Sequence, residues 1–463
     1  MSIGTLAVPL WWMVLAGCAE PSGPRPGEGG WPDCDVEAGA FTELRVESTS
    51  VGTVGRAAWT TDLRGPARVV YAETDGPVRV MPAREGAEAL LVGVGTASDV
   101  IWRVVVETEN GPRCSEARIY RTGLHDPDVP EFTVVGADAS GDLAATVLLA
   151  STGVHAVLLD ASGRVVWSAH VADAPEFGPF RVRLSPDGRG LDVAYVAGAR
   201  EQEGRIVRID WDGARTERFS LRGAHTDMVE RPDGTVAMLG WDIRDVGAGR
   251  TFIGDTILER APDGETRTVW SAFDAFPPDL GYTYGNAFYA TLPDAEDWTH
   301  GAGLSYDADK DSYLVALRKV STVVRVDRAT GTTLSVIGAR TPLPQPGAAV
   351  DSPHSVEHLG GDRYLVFNSG GFGDGACSRA TVYRHAEGGD AGEVVRDYGV
   401  DACLRVAFLG NAVAQADDSL RVAWSSAGRL ESYAPGGELL QRVELPAGTA
   451  FGFVTSVAPG DLR

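Results

Sequence analysis

The sequence predicts an all-β chain, a six-bladed β-propeller preceded by a small fibronectin-like β-sandwich. Three observations carry this reading. Turn formers are abundant, with 57 Gly and 26 Pro in 463 residues, which suits many short strands joined by tight turns. From about residue 131 onward one hairpin pattern recurs: an apolar strand, a polar Gly- or Asp-rich turn, and a strand often ending in Trp or a small residue. Each such hairpin follows another, so every repeat supplies four strands, which is one blade.

Composition narrows the function classes. Apolar residues make up 44% and charged residues 23% of the chain, an ordinary globular balance. The net charge of −23 repels nucleic acid and anionic lipid, so a nucleic-acid partner is disfavoured. Only Lys310 and Lys319 are lysines. The other basic residues are Arg, so an Arg has to be argued from its position.

The elements follow in order. Residues 6–16, LAVPLWWMVLA, form an apolar run too short to cross a bilayer. The run reads as a secretory signal over residues 1–18. Its end, LAGC at Leu15 to Cys18, resembles a bacterial lipobox, which implies a lipid on Cys18 and a membrane attachment through that lipid alone. Residues 19–33 are rich in Pro and Gly and predict a flexible tether. The expected location is extracytoplasmic, in the periplasm or at the cell surface.

Beyond Cys18 the chain has four cysteines, Cys34, Cys114, Cys377 and Cys403. An even count in an oxidising compartment favours two disulfides. Of the three possible pairings, the local one is expected, Cys34–Cys114 with Cys377–Cys403. No CxxC or Cys/His spacing suggests zinc.

Residues 34–124 alternate in short runs such as ARVVYAET and DVIWRVVVETENG, which predict the sandwich. A linker, HDPDVP, covers residues 125–130. The propeller is assigned to residues 131–463. Its outer hairpins include VLLDASGRVVWSA (157–169), VVRVDRATGTTLSVIG (323–338) and LESYAPGGELLQRVEL (430–445). Ring closure leaves no exposed sheet edge.

In a propeller the first strand of each blade lines the central channel, so equivalent positions converge on the axis. His225, His300, His354 and Asn411 each precede a hairpin-turn position, Asp233, Ala308, Asp362 and Ser419, by eight residues. Arg318 follows on the return strand from His300. Three imidazoles and a guanidinium around one cavity suit a tetrahedral oxyanion such as sulfate or phosphate. A neutral His there is able to attack sulfur or phosphorus and carry the group. Three histidines also suit a metal, but a cation beside a divalent metal is costly without an anion, so no metal is assigned.

Three segments then resemble one family: AHTDMVERPDG (224–234), DWTHGAGLSYDADKDSYLVALRKVSTVVRVDRATG (297–331) and SPHSVEHLGGDRYLVFNSG (352–370). They are similar to the bacterial aryl sulfotransferases that do not use PAPS. The resemblance implies a ping-pong transfer of a sulfuryl group from an aryl sulfate donor to a phenolic acceptor, without a cofactor. It implies His354 as the nucleophile, with His225, His300 and Arg318 binding the sulfuryl oxygens. The rival reading is a non-catalytic extracytoplasmic propeller that binds a ligand or partner.

Other signals read as structure. Asp307, Asp309 and Asp311 alternate as in a calcium loop but lack its Gly and distal Glu, so a polar turn is expected. His358 reads as a hairpin residue. His125, His155, His170 and His385 are expected to be solvated. The glycine-rich NSGGFGDGAC (368–377) predicts a long surface loop pinned by Cys377.

Overall fold

The computed structural model describes residues 30–84, 87–172, 178–196, 203–285, 294–338, 350–370, 377–385 and 392–463. The signal segment and Cys18 lie outside these residues, as does most of the glycine-rich loop. The described residues form strands and turns with almost no helix, in sheets that are antiparallel except where Asp35–Val36 pairs with Gly111–Cys114 and Ala295–Asp297 with Arg250–Arg260.

The N-terminal part holds a six-stranded and a three-stranded sheet, built from strands between Asp35 and Arg121. The Cys34–Cys114 disulfide ties its first strand to the Gly111–Cys114 strand. Trp31, at the end of the expected tether, is buried beneath the Arg103 guanidinium, 5.0 Å from the ring centroid. The tether is therefore pinned before it reaches the first sheet.

Six further sheets of four or five strands follow, in chain order. The first holds Leu143–Ala150, Gly153–Leu159 and Val165–Ala172. The second runs from Arg181 to Arg222, the third from Ala224 to Ser271, the fourth from Gly301 to Gly338 and the fifth from Pro353 to Tyr398. The sixth holds Asn411–Ala414, Leu420–Trp424, Arg429–Tyr433 and Leu439–Glu444. Two short segments join the ends. Ala450–Phe451 and Thr455–Val457 pair with Leu143–Ala150 in the first sheet, and Thr133–Gly136 pairs with Leu439–Glu444 in the sixth.

The innermost strands are Thr455–Val457, Arg181–Leu184, Ala224–Glu230, Gly301–Asp307, Pro353–His358 and Asn411–Ala414. They touch in cyclic order, the last returning to the first. Among the described residues no ladder joins these neighbours beyond a single Arg181–Phe453 bridge, so their facing amides and carbonyls need other partners. Side chains provide them. Arg181 grips Asp227 through two hydrogen bonds of 2.7 and 2.8 Å. Asp227 also accepts from the backbone N–H of Leu304 at 2.9 Å. Arg183 Nε donates to the Met228 carbonyl at 2.7 Å. Glu357 accepts from Ala414 N–H at 3.0 Å. Asn411 both donates to and accepts from the Val454 backbone at 2.8 Å. These polar stitches run through the middle of the molecule.

One apolar core spans the N-terminal sheets and the first two of the six. Trp59, Tyr71 and Trp102 share it with Trp167, Val182, Trp211 and Leu462. Trp167 and Trp211 meet edge-on with ring centroids 5.6 Å apart, and each indole N–H reaches a backbone carbonyl. Arg56–Asp212 and Arg164–Glu73 ion pairs, at 2.6 and 2.9 Å, rim the contact. Val129, in the segment between the two parts, is buried. The N-terminal sheets are thus packed against the rest, not hung from it.

Two histidine expectations need correction. His155 and His385 are buried, not solvated. His155 sits in Gly153–Leu159, a strand buried along its whole length, where apolar residues before and after it leave no solvent face. His358 is a hairpin residue as expected, its Nδ1 2.8 Å from Asp307. Asp307 also takes Arg325 at 2.6 Å, so this turn is closed by ion pairs.

Candidate functional site

His225, His300 and His354 come from the third, fourth and fifth sheets, and in each the innermost strand departs from regular pairing at the histidine. Register shifts fall between His225 and Met228, between Gly301 and Gly303, and between Pro353 and Ser355. A bulge re-aims a side chain that strict alternation would send to the wrong face. Left-handed backbone accompanies each shift: Thr226 has φ 54°, His300 φ 50° and Ser352 φ 52°. None is a glycine, so each costs about 1–3 kcal/mol that the surrounding sheets must hold.

The shifts also show that equal spacing in sequence is not equal place in the sheet. Gly303 and Ser355 pair with Ala316 and Phe367 at corresponding rungs. Counting back from them, Ser352 rather than His354 corresponds to His300, and the two share the left-handed φ. The three histidines stand at or beside bulges and not on a common rung.

His354 is buried, and neither of its ring nitrogens has a hydrogen-bond partner among the described residues. Burial pushes its pKa well below the ordinary histidine value, and the nearby Arg318 and His300 charges push the same way. It is therefore a neutral imidazole at pH 7, with an unshared pair on one nitrogen.

Arg318 follows the strand Ser312–Leu317 as the first residue of the turn, one place beyond the return strand expected. Its backbone N–H donates to the His300 carbonyl at 3.1 Å, which fixes it beside that histidine. Its Nη2 donates to the Ala407 carbonyl at 2.9 Å. The guanidinium is buried, and burial lowers its pKa to about 10 although Asp297 opposes the shift. It remains a cation throughout the neutral range.

The segment that carries the Ala407 carbonyl is itself anchored. The Cys377–Cys403 disulfide, formed as expected, joins it to the start of the Arg379–Arg384 strand. Ser378 Oγ accepts from Val406 N–H at 2.9 Å, and Ser426 Oγ accepts from Ala407 N–H at 2.8 Å.

The other two histidines have carboxylate partners that the sequence reading did not assign. Asp297 Oδ2 lies 2.5 Å from His300 Nδ1 and 3.2 Å from Lys319 Nζ. Burial raises the Asp297 pKa, but the charges and hydrogen bonds of His300 and Lys319 outweigh it and hold the carboxyl below the usual carboxylate range. Asp255 Oδ1 lies 3.0 Å from His225 Nε2, while its Oδ2 accepts from Gly301 N–H at 2.6 Å and from Thr299 Oγ1. One carboxylate thus links His225 to the segment that carries His300. His225 Nδ1 meets Thr226 Oγ1 at 2.8 Å, and its ring stacks on Trp241 with centroids 5.4 Å apart. Asp297 stands three residues before His300, a spacing visible in the sequence. Asp255 comes from a different hairpin and was not.

Two glycines let the strands approach. A Cβ on Gly301 would lie 2.6 Å from Asp255 Oδ1, and one on Gly303 would lie 2.7 Å from the His354 carbonyl oxygen and 2.8 Å from Ser355 Cα. The second obstacle is backbone, which cannot swing aside. We expect Gly303→Ala to cost about 1–3 kcal/mol of stability and to shift His354 relative to His300. Urea denaturation combined with the transfer assay below checks this. Unchanged stability and turnover would show that the sheets open at little cost.

The arrangement offers a buried neutral imidazole, a fixed guanidinium and a carboxylate-backed histidine in one group. Among the described residues no set of three or more His, Cys, Asp or Glu side chains is placed to hold a metal.

Comparison with known proteins bears on this group. A family model described as arylsulfotransferase (ASST) matches residues 147–346. The matched stretch contains His225, Asp255, Asp297, His300 and Arg318 and ends before His354. No curated protein matches the chain. Solved structures similar to it include a putative 6-phosphogluconolactonase from Bacteroides fragilis, at 13% identity and TM-score 0.40, covering 68% of this chain and 98% of that one. A streptogramin B lyase is 12% identical with TM-score 0.37, covering 70% and 98%. The β-propeller domain of Cps50 from Myceliophteria thermophila is 12% identical with TM-score 0.38, covering 68% and 90%.

Proposed function

We propose, on the premise that the chain belongs to the arylsulfotransferase family through residues 147–346, that it moves a sulfuryl group between aromatic hydroxyls by way of His354. The observation that carries the reading is the state of that residue: a buried imidazole with no hydrogen-bond partner among the described residues, beside Arg318 and His300. An imidazole left without partners has lost solvation that an incoming electrophile restores.

In the first half-reaction a His354 nitrogen attacks sulfur and the bond from sulfur to the aryl oxygen breaks. The phenolate leaves and takes up a proton. In the second, an acceptor phenol attacks the sulfohistidine, the N–S bond breaks, the phenol proton is released and neutral His354 is restored. Arg318 holds the sulfuryl oxygens, whose charge changes as sulfur passes between partners, so a fixed donor acts most strongly in the transition state. The donor is already an activated ester, so no cofactor is required.

In this reading the six sheets form a six-bladed propeller over residues 131–463, supported by the cyclic contact of the innermost strands, and residues 34–124 form a sandwich. Residues 1–18 act as a lipoprotein signal, with Cys18 as the anchor to a bacterial membrane and the protein outside the cytosol. The two disulfides support that placement.

The test is direct. Protein beginning at residue 19 is incubated with 4-nitrophenyl sulfate, with and without phenol. Nitrophenolate release that depends on phenol, together with phenyl sulfate formation, is expected. Release independent of an acceptor would make it a hydrolase. No release from folded protein with this and other aryl sulfates would favour a binding propeller.

A further inference from the structure

Arg318 opens the four-residue turn Arg318–Ser321, and a circuit of hydrogen bonds leaves that turn and returns to the guanidinium. The Arg318 carbonyl accepts from Ser321 N–H at 3.2 Å, and Ser321 Oγ accepts from Ser352 N–H at 3.2 Å. The Ser352 carbonyl accepts from Ser369 N–H at 3.1 Å. Ser378 Oγ donates to the Ser369 carbonyl at 2.8 Å and accepts from Val406 N–H at 2.9 Å. Ala407 follows, and its carbonyl closes the circuit by accepting from Arg318 Nη2 at 2.9 Å. The circuit joins the fourth and fifth sheets to the segment that leads into the sixth. It passes through Ser352, two residues before His354. Ser321, Ser352, Ser369 and Ser378 are all buried. Ser321 and Ser352 have φ 45° and 52°, a left-handed backbone that persists only where its surroundings fix it.

Resting on the functional reading above, we infer that Ser378 is a positioning residue of the transfer, which aims the Arg318 guanidinium through the Ala407 carbonyl. A hydroxyl has one proton to give and lone pairs with which to accept. Ser378 uses both, so it is held between Ser369 and Val406 from two sides. Val406 N–H is fixed by Ser378, and Ala407 N–H by Ser426 Oγ at 2.8 Å. The two planar peptide units that lead to the Ala407 carbonyl are therefore both tied down. A carbonyl orients a guanidinium without neutralising it, because it carries no net charge. The donor fork thus keeps its direction and its charge while sulfur passes between partners, and a donor already in place stabilises the transition state without reorganising. The same circuit carries Ser352, so it keeps the guanidinium in register with the strand of His354.

The experiment is a double-mutant cycle with 4-nitrophenyl sulfate and phenol, placing Ser378→Ala in wild type and in Arg318→Met. In wild type, Ser378→Ala is expected to lower kcat on the order of 10–10²-fold with KM little changed, the mark of a misaimed group that acts in the transition state. In Arg318→Met the same change should cost less than about twofold. An equal loss in both backgrounds would overturn the proposal, because a purely structural defect does not depend on Arg318. A loss confined to KM would overturn it too. Ser426→Ala loosens the same segment from its other side and should give the same pattern, which decides the matter if Ser378→Ala does not fold. In parallel, side-chain nitrogen NMR follows the hindered rotation of the Arg318 guanidinium, its signal assigned by its loss in Arg318→Met. Rotation should quicken in Ser378→Ala, and unchanged rotation would overturn the proposal. Wild-type protein inactive with aryl sulfates would instead overturn the functional reading, and the NMR would still decide whether Ser378 fixes Arg318.

Discussion

His354→Ala is expected to lower acceptor-dependent transfer on the order of 10⁴-fold or more, the scale on which enzymes lose turnover when a covalent nucleophile is removed. The fold should survive, since neither ring nitrogen is hydrogen-bonded to any described residue and truncation orphans no partner. The pH dependence supplies an independent check. Burial, with Arg318 and His300 adding to it, depresses the folded-state pKa. An ordinary histidine protonates below about pH 6.5, but His354 stays neutral there, so its own protonation limits turnover only well below that pH. The same shift has a stability sign. Below about pH 6.5 the unfolded chain binds a proton that folded His354 refuses, so the contribution is fully present above that pH and is lost as pH falls. His354→Ala should therefore flatten the acid side of the stability profile. Full transfer activity in the variant would remove His354 as the carrier. An unaltered acid slope would mean that the imidazole is solvated.

The second large effect is on folding. Asp227→Ala is expected to cost about 3–5 kcal/mol, because it leaves the buried Arg181 guanidinium without its partner. Asp227 accepts from Arg181, from Leu304 N–H and from Met228 N–H. One side chain therefore connects the second, third and fourth sheets, and Arg181 reaches the Val454 carbonyl beyond them. Burial raises the Asp227 pKa, yet Arg181 and Arg183 outweigh it and hold the carboxyl below its usual range. Its contribution is thus present above about pH 3.9 and is lost as pH falls through the depressed value. Urea denaturation of wild type, Asp227→Ala and the double variant Arg181→Met/Asp227→Leu measures this. The double variant should recover part of the loss, since it removes the Arg181 guanidinium together with its partner, while Arg183 and the Leu304 and Met228 N–H groups still lose Asp227. A single-variant loss under about 1 kcal/mol would show that water reaches the pair.

Much of this was legible in the sequence. The recurring hairpins become strands at their quoted positions, and both local cysteine pairings form. The eight-residue recurrence singled out His300 and His354, although the sheets place Ser352 and not His354 at the rung of His300. The bulges did not show, because a register shift depends on which residue the neighbouring strand presents, and eight-residue spacing hides it. Asp255 escaped for a related reason, since it stands on the third strand of its sheet and meets Thr299 and Gly301 only across the gap to the next. Thr133–Gly136 and Thr455–Val457 are too short, and too far in sequence from their partners, to register as strands. His155 carried a usable signal that the reading overlooked. In GVHAVLL the residues alternating with the apolar ones are themselves apolar or small, the mark of a strand covered on both faces.

The way the two end sheets are completed has a consequence for the order in which the chain can be made. The first sheet needs residues 450–457 for its innermost edge, and the sixth needs Thr133–Gly136 for its outermost. As the polypeptide is made, the strand Leu143–Ala150 emerges early and waits with one edge bare until residues 450–457 follow, about 300 residues later. Such distant pairing slows folding, and a bare edge invites neighbouring nascent chains. A message truncated shortly before codon 450 should therefore yield aggregate, although every residue of the candidate site has already been translated.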